Sequence, residues 1–541
     1  MQRILKFIDA TLIDLGRQFR WSYLPPLMVY VAAGISGLTG IVGTFFVKDY
    51  LNLSAAFLAG LGFWAGIPWA LKMPLGHLVD LIWNRKNYMV FIGAGLIALS
   101  LFIMYGLIIH TEALSSYLKV ETWFIISVLL APVGYVIQDV VADGMTVEAV
   151  PLSDEKGNKY SLEKIKIMHT TMQTLGRFAI IAGTVIVAFA NVILFSNVEN
   201  LNQEGKILLY GQIYIYALII PVISVSGVFL AIYLKNLRIK RLRDSGVSKE
   251  KIIELEKESH ENTKPNWWIL GGSLIFVLFT LGVGALKIPF AQEIVFFGSM
   301  LIILFLMFKL IKELPENTRF MIIGTAIIIF VFRAMPGPGP GLVWFEIDEL
   351  GFNEQFFSVL SLLASVLTLV GIVALRPFMA KNSIAKIIVI LSILGAILFL
   401  PSVGMYYGFH NWTSSLTNGV VDAKFIAIIN TALESPLGQI SMIPLLAWIA
   451  KNAPSNLKAT FFAVFASFTN LALSANALAT KYLNEIFTIT REVKDKVSNL
   501  VVSTADYSEL GMLLITVLLL TLVLPILAVW IIQKTKFKTN E

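Results

Sequence analysis

Runs of about 20 apolar residues recur along this chain from near residue 25 to near residue 533, and no other feature restricts its fold so severely. Each run is long enough to cross about 30 Å of hydrocarbon as a helix. Lipid offers no partners to backbone N–H and C=O groups, so a spanning segment must satisfy them within a helix or a closed barrel. Leu-, Ile- and Phe-rich runs do not alternate as barrel strands do, which leaves helices. With a mean hydropathy of +0.77 and 14% charged residues, a soluble domain is excluded. The expectation is an integral, multi-pass, all-α membrane protein.

The charged residues between the runs divide the chain. In residues 1–24, Ile4, Phe7, Leu12 and Phe19 alternate with Arg3, Lys6, Asp14 and Arg20, a pattern that predicts an amphipathic interfacial helix. Pro25 and Pro26 then turn the chain into its first span. Six runs fill 25–235 and form an N-terminal bundle, and 236–265 is a cytoplasmic linker that opens on RIKRLR. Two runs at 266–312 form an inserted transmembrane hairpin, whose expected role is to brace the halves, and six more within 313–541 form a C-terminal bundle, giving fourteen transmembrane helices. Most of the 42 Lys and Arg fall in loops on one side, so both termini are placed in the cytoplasm and the protein in the cell (inner) membrane.

Several functions drop out. The chain has no cysteine, and its five histidines are scattered, so neither a thiolate site nor a metal-ligand cluster is visible. Gly-rich phosphate loops and nucleophile elbows are also missing, which argues against an enzyme and leaves no cofactor to expect. The excess of seven positive charges follows membrane topology and is not a nucleic-acid footprint. Nothing demands an oligomer, and a monomer is expected.

Against this oily background, ionisable residues within the spans mark function, because charge at membrane depth costs several kcal/mol unless paired or wetted. Asp139 and Asp143 are one helical turn apart, with Gln138 and Glu148 nearby, so one acidic stripe looks out of the fourth span. Gln173 and Arg177 share a face of the fifth span, Arg333 lies late in the seventh, and Asn430 and Glu434 share a face of the tenth. Asn470 and Asn476 in the eleventh offer amides, either to a ligand or as glue between helices. Lys72, near the end of the second span, is able to snorkel toward an interface.

Four stretches resemble known families. PWALKMPLGHLVDLIWNRKNY, with Gly76, Asp80, Arg85 and Lys86, resembles the loop between spans two and three of the major facilitator superfamily, with Trp83 where a second glycine is usual. DVVADGMTVE, Asp139 to Glu148, is similar to the fourth-span signature of the folate–biopterin transporter (BT1) family, and Pro68, Trp69 and Lys72 fit that family's residues before the loop glycine. FRAMPGPGPGLVWFEIDELGFNEQFFSVL resembles its proline-bearing seventh span and the turn beyond, and ATFFAVFASFTNLALS its eleventh. The span-four glutamate is followed by Ala149 and not by the arginine frequent in the family.

The resemblance implies two six-helix bundles that rock about a midplane site. It implies a cytoplasmic gate at Lys72, Gly76, Asp80, Arg85 and Glu148, in which the glycine allows close helix contact. It implies a substrate and proton pathway through Asp139, Asp143, Gln173, Arg177, Arg333, Asn430, Glu434 and Asn470. A folate or pteridine anion is the expected small-molecule substrate, moved with protons as coupling ion. The alternatives are another cargo on the same fold, such as a muropeptide, peptide, sugar or drug, and a membrane assembly factor that moves no solute.

Overall fold

The computed structural model describes residues 18–539 except 52, 71, 155, 253–266, 286–287, 313, 376–377, 380–381, 438–457 and 495–500. The first crossing, Trp21–Tyr50, is α1 (Leu24–Gly34) and α2 (Gly40–Tyr50) joined by a 3-10 turn. Pro25 and Pro26 sit in the first turn of α1, where a missing N–H loses no helical bond. There follow α3 (Ala55–Ala70), α4 (Lys72–Leu81), α5 (Asn87–Ile109), α6 (Val120–Ala149), α7 (Leu162–Leu194), α8 (Gln203–Ala217) and α9 (Ile219–Asp244). The hairpin is α10 (Trp267–Ala285) and α11 (Ala291–Ile311). The second half comprises α12 (Glu316–Arg333), α13 (Pro340–Asp348), α14 (Glu354–Ala374), α15 (Ile384–Tyr406), α16 (Ala423–Glu434), α17 (Lys458–Ile486) and α18 (Leu510–Gln533). Among the described residues, eight helices are long and apolar enough to cross a membrane.

Helix pairs within the first half approach closely where both partners lack a side chain. A Cβ on Gly183 of α7 would lie 2.8 Å from the Gly34 Cα of α1, and one on Gly134 of α6 would lie 2.7 Å from the Gly93 carbonyl of α5. Small residues at such crossings let backbones pack where lipid supplies no hydrophobic drive.

The Pro-Gly run between α12 and α13 leaves backbone groups that no helix can satisfy, and α17 supplies the partners. Asn476 donates to the Met335 carbonyl, Thr480 Oγ1 accepts from Gly337 N–H at 3.0 Å, and Asn484 donates to the Pro338 carbonyl at 3.4 Å. These three side chains stand one turn apart on one face, so the break in the span is strapped to a neighbour.

The hairpin lies over the seam between the halves. Phe276 and Val283 of α10 and Val295 of α11 share a buried cluster with Phe63 and Ile67 of α3 and Leu478 of α17. Gln292 donates to the Gly60 carbonyl at 2.9 Å, and Glu293 receives Tyr482 Oη and lies 3.5 Å from Lys481 Nζ.

One boundary differs from expectation. The helix expected to end at 235 runs on as α9 to Asp244, because Arg241 and Arg243 in its last turn complement the helix dipole. Beyond α17, β1 (Val493–Lys494) pairs antiparallel with β2 (Val501–Ser503). Residues 1–17 of the expected interfacial helix and 253–266 of the linker lie outside the described residues. Below, the end holding 82–86, 150–154 and 156–161 is the basic end, and that holding 50–51, 53–54, 195–202, 348–353, 487–494 and 501–509 the opposite end.

Candidate functional site

Helix α6 spans about 45 Å at 1.5 Å per residue and carries both acids of the stripe inward. Lys72 opens α4, and its ammonium lies 2.5 Å from Asp139 Oδ2 and 2.9 Å from Asp143 Oδ2. A cation at a helix N-terminus opposes the helix dipole, so the two carboxylates hold it there and not α4. Tyr30 of α1 donates its hydroxyl to Asp143 Oδ1 at 2.6 Å. Its ring packs where a side chain at position 176 would stand, since a Cβ on Gly176 would be 2.9 Å from it. The next residue, Arg177, is within electrostatic reach of Asp139 and Tyr30, is exposed, and has no ion pair among the described residues.

Four helices thus bring two cations and two carboxylates together. The arrangement is neutral and graded in access, with 13% of the Asp139 side chain exposed against 47% of Asp143. Tyr30 was not among the sequence candidates. The signal that could have found it is a lone hydroxyl within the apolar run LMVYVAA.

The other candidates divide. Gln138 turns away from the acids and donates to the Val90 carbonyl at 3.1 Å and to Ser224 Oγ at 3.0 Å, holding α6 to α5 and α9. Glu148 pairs with Lys86 at 2.6 Å, and the Lys86 ammonium lies 4.0 Å from the Trp83 ring centroid. Arg85 is exposed. The close helix contact expected at Gly76 is absent, because a Cβ there would meet nothing within 4 Å in this conformation. The side chains of Asp80 and Gln173 lie outside the described residues.

In the second half Arg333 is half-buried at the end of α12, Glu434 is exposed at the end of α16, and the buried Asn430 Oδ1 has no hydrogen-bond partner among the described residues. Asn470 donates to the Trp69 carbonyl at 3.2 Å, tying α17 to α3. Asp139 and Arg177 are therefore brought together, whereas Arg333 and Glu434 belong to helices of the other bundle.

Sequence reading missed a second cluster, at the opposite end. Arg491, beside β1, is 3% exposed and directs its guanidinium into the turn after α2, where the carbonyls of Val47, Lys48, Leu51 and Leu53 accept from it. Its Cζ lies 4.2 Å from the Trp344 ring centroid. Burial pulls this guanidinium down to about 10, so it remains charged at neutral pH. Lys48 pairs with Asp348, which also receives the Tyr507 hydroxyl at 2.5 Å. Glu354, 1% exposed, receives Tyr210 and lies 3.4 Å from Lys206, and Asn353 donates to Glu199. Lys48, Lys206, Tyr210 and Glu199 belong to the first half, and the other members to the second, so this cluster joins the bundles.

Comparison with known proteins agrees with this architecture. A model of the BT1 family matches residues 33–540. The folate-biopterin transporter of Synechocystis sp. is 21% identical over 462 residues, covering 85% of this chain and 74% of that protein. A putative folate transporter 2 of Plasmodium berghei is 22% identical over 173 residues, 30% of this chain and 36% of that one. Among solved structures, one from a study of substrate recognition in proton dependent oligopeptide transporters has a TM-score of 0.57 at 15% identity, covering 94% of this chain and 98% of its own. The nucleoside transporter NupG has a TM-score of 0.51 at 12% identity, covering 96% of this chain and 100% of its own. These likenesses establish the major facilitator fold.

Proposed function

This chain belongs to the BT1 family and is a multi-pass membrane transporter, not an enzyme, and we propose that it moves a folate- or pteridine-type anion by alternating access coupled to protons. The observation that carries the reading is Lys72 held between Asp139 and Asp143 with Arg177 exposed beside them. Two cations and two carboxylates sum to zero, and an arriving anion unbalances them. One proton taken up by a carboxylate per substrate charge restores neutrality, which matters where the dielectric is low. The protonated carboxyl then loosens its hold on Lys72, freeing the ammonium to meet the anion alongside Arg177.

The same reading gives the two ends different tasks. The ion pairs between described residues that cross from one half to the other sit at the opposite end, so that end is closed and the substrate enters or leaves at the basic end. The same reading takes the basic end as the cytoplasmic one, on the excess of Lys and Arg in the loops of that side.

The test is uptake of labelled folate by purified protein in liposomes, with and without an imposed pH gradient. Accelerated uptake with the acid side on the substrate's side supports coupling. Equal rates would refute it, and no uptake of folate or pterin would refute the substrate class.

A further inference from the structure

A cavity of about 450 Å³ lies among the 3-10 turn of the first crossing, α2, α3, α5, α6, α8 and α13, within the range of small-molecule sites. No Asp, Glu, Lys, Arg or His lines it, and its walls are apolar side chains interspersed with hydroxyls. A carboxylate could not be moved into such a wall without several kcal/mol of uncompensated desolvation. Whatever enters must be uncharged there.

The hydroxyls narrow the choice. Ser100 Oγ donates to the Ser127 carbonyl at 2.8 Å, Ser127 Oγ to the Ser100 carbonyl at 3.0 Å, and Thr44 Oγ1 to the Gly40 carbonyl at 3.1 Å. With their protons spent on backbone, these three groups offer lone pairs to N–H and amino donors, and the Tyr135 and Tyr214 hydroxyls on the same wall can meet a ring acceptor. Trp344, buried and with Arg491 over its ring, adds an aromatic side chain to the same wall.

The position relative to the charges is equally specific. Tyr135, on the cavity wall, precedes Asp139 by one turn of α6, about 6 Å. Ser36, also on the wall, lies a turn and a half beyond Tyr30 on the first crossing.

We propose, resting on the reading above, that this cavity is the subsite for the substrate's uncharged, donor-bearing heteroaromatic ring. The ligand then lies ring toward the opposite end, with its anionic tail at Lys72 and Arg177.

Equilibrium binding to purified protein tests this with three probes: pterin for the ring, p-aminobenzoylglutamate for the tail, and folate for both. Gly40 lines the cavity and a Cβ there would meet nothing within 4 Å, so Gly40→Leu adds bulk at its wall. It is expected to weaken pterin and folate by about tenfold or more and p-aminobenzoylglutamate by less than about threefold. Lys72→Met is expected to do the reverse, weakening the tail probe and sparing pterin. Tyr135→Phe, which keeps the shape of the wall, is expected to weaken pterin by about three- to tenfold. Unchanged pterin affinity in Gly40→Leu overturns the subsite while folate binding by the unaltered protein keeps the transport reading intact, and so does equal loss of ring and tail probes. If the unaltered protein binds none of the three, the folate reading has failed and the subsite falls with it.

Discussion

The two ends of the molecule use charge in opposite ways. At the basic end, Lys72, Asp139, Asp143 and Tyr30 all belong to one bundle, running from the buried Tyr30 to the half-exposed Asp143 and with Arg177 exposed beside them. At the opposite end, Arg491, Lys48, Glu354 and Tyr210 are buried and, together with Asp348, find partners across the two bundles. Side chains within one rigid body can rearrange protons and ligands without moving helices. Side chains shared between two bodies cannot let go without separating them. The first kind suits a binding and coupling site and the second a gate.

The largest effect should come from the shared cation of the basic end. Lys72→Met leaves two carboxylates a turn apart with one hydroxyl between them, and after allowance for the half-exposed Asp143 the loss in stability should be about 2 kcal/mol. Folate uptake should fall about 100-fold. Adding Asp139→Asn should restore the melting temperature but not uptake. If uptake returns with stability, the ammonium is a structural strut and the contrast between the ends collapses.

Next comes Arg491. Replacing it with Met removes the guanidinium donors from carbonyls in the last turn of α2 and the turn beyond it, each lost bond worth about 1–3 kcal/mol. The gate should then open. The chain contains no cysteine, so one reporter suffices, and Val47→Cys, at a buried position on the cavity wall, is suited to it. Thiol labelling should quicken about tenfold in the Arg491→Met background and less in Arg491→Lys, which keeps the charge but not the fork. Labelling that stays slow in both would show that the bundles are held elsewhere.

Glu354→Gln is a milder version of the same break. The amide oxygen still accepts from Tyr210, but the pairing with Lys206 is lost, and labelling of the Val47→Cys reporter should rise by about threefold. A pair confined to one bundle should behave otherwise. Glu148→Gln leaves the buried Lys86 ammonium without its partner and should lower stability by about 1–2 kcal/mol without changing reporter labelling.

How far these ends were legible in sequence follows from the same contrast. Asp139, Asp143 and Lys72 stood out because an ionisable group inside an apolar run has no innocent explanation. What no pattern could supply was which neighbour each would meet, so Lys72 was grouped with the loop residues Asp80 and Arg85 and not with the acids. Asn476 declared itself as a polar residue in a span, yet its role in strapping the Pro-Gly run depends on Thr480 and Asn484, which read as ordinary residues near a helix end. The gate was invisible for a different reason. Lys48, Asp348, Glu354 and Arg491 flank spans, where hydrated charges are the rule, and only tertiary structure brings them onto partners 144 or more residues away in sequence. The family and the fold were legible throughout, since they rest on apolar runs and short local motifs.

The smallest effect is a control on pH. Each end carries an exposed aspartate that closes its own turn: Asp154 accepts from the backbone N–H of Asn158 and of Lys156, and Asp506 from that of Ser508. Those hydrogen bonds hold both carboxyls below the usual aspartate range. A carboxyl with a depressed folded-state pKa contributes stability above its unfolded value and loses it as pH falls through the folded one. Both turns should therefore keep their amide protection unchanged from pH 8 down to about 4 and lose it together below that. Hydrogen exchange at Asn158 and Ser508 checks this. Any change in transport between pH 5 and 8 then has to arise from groups other than these two turns, and loss of protection in that window at one end alone would mean that the loops, not the Lys72 cluster, carry the pH dependence.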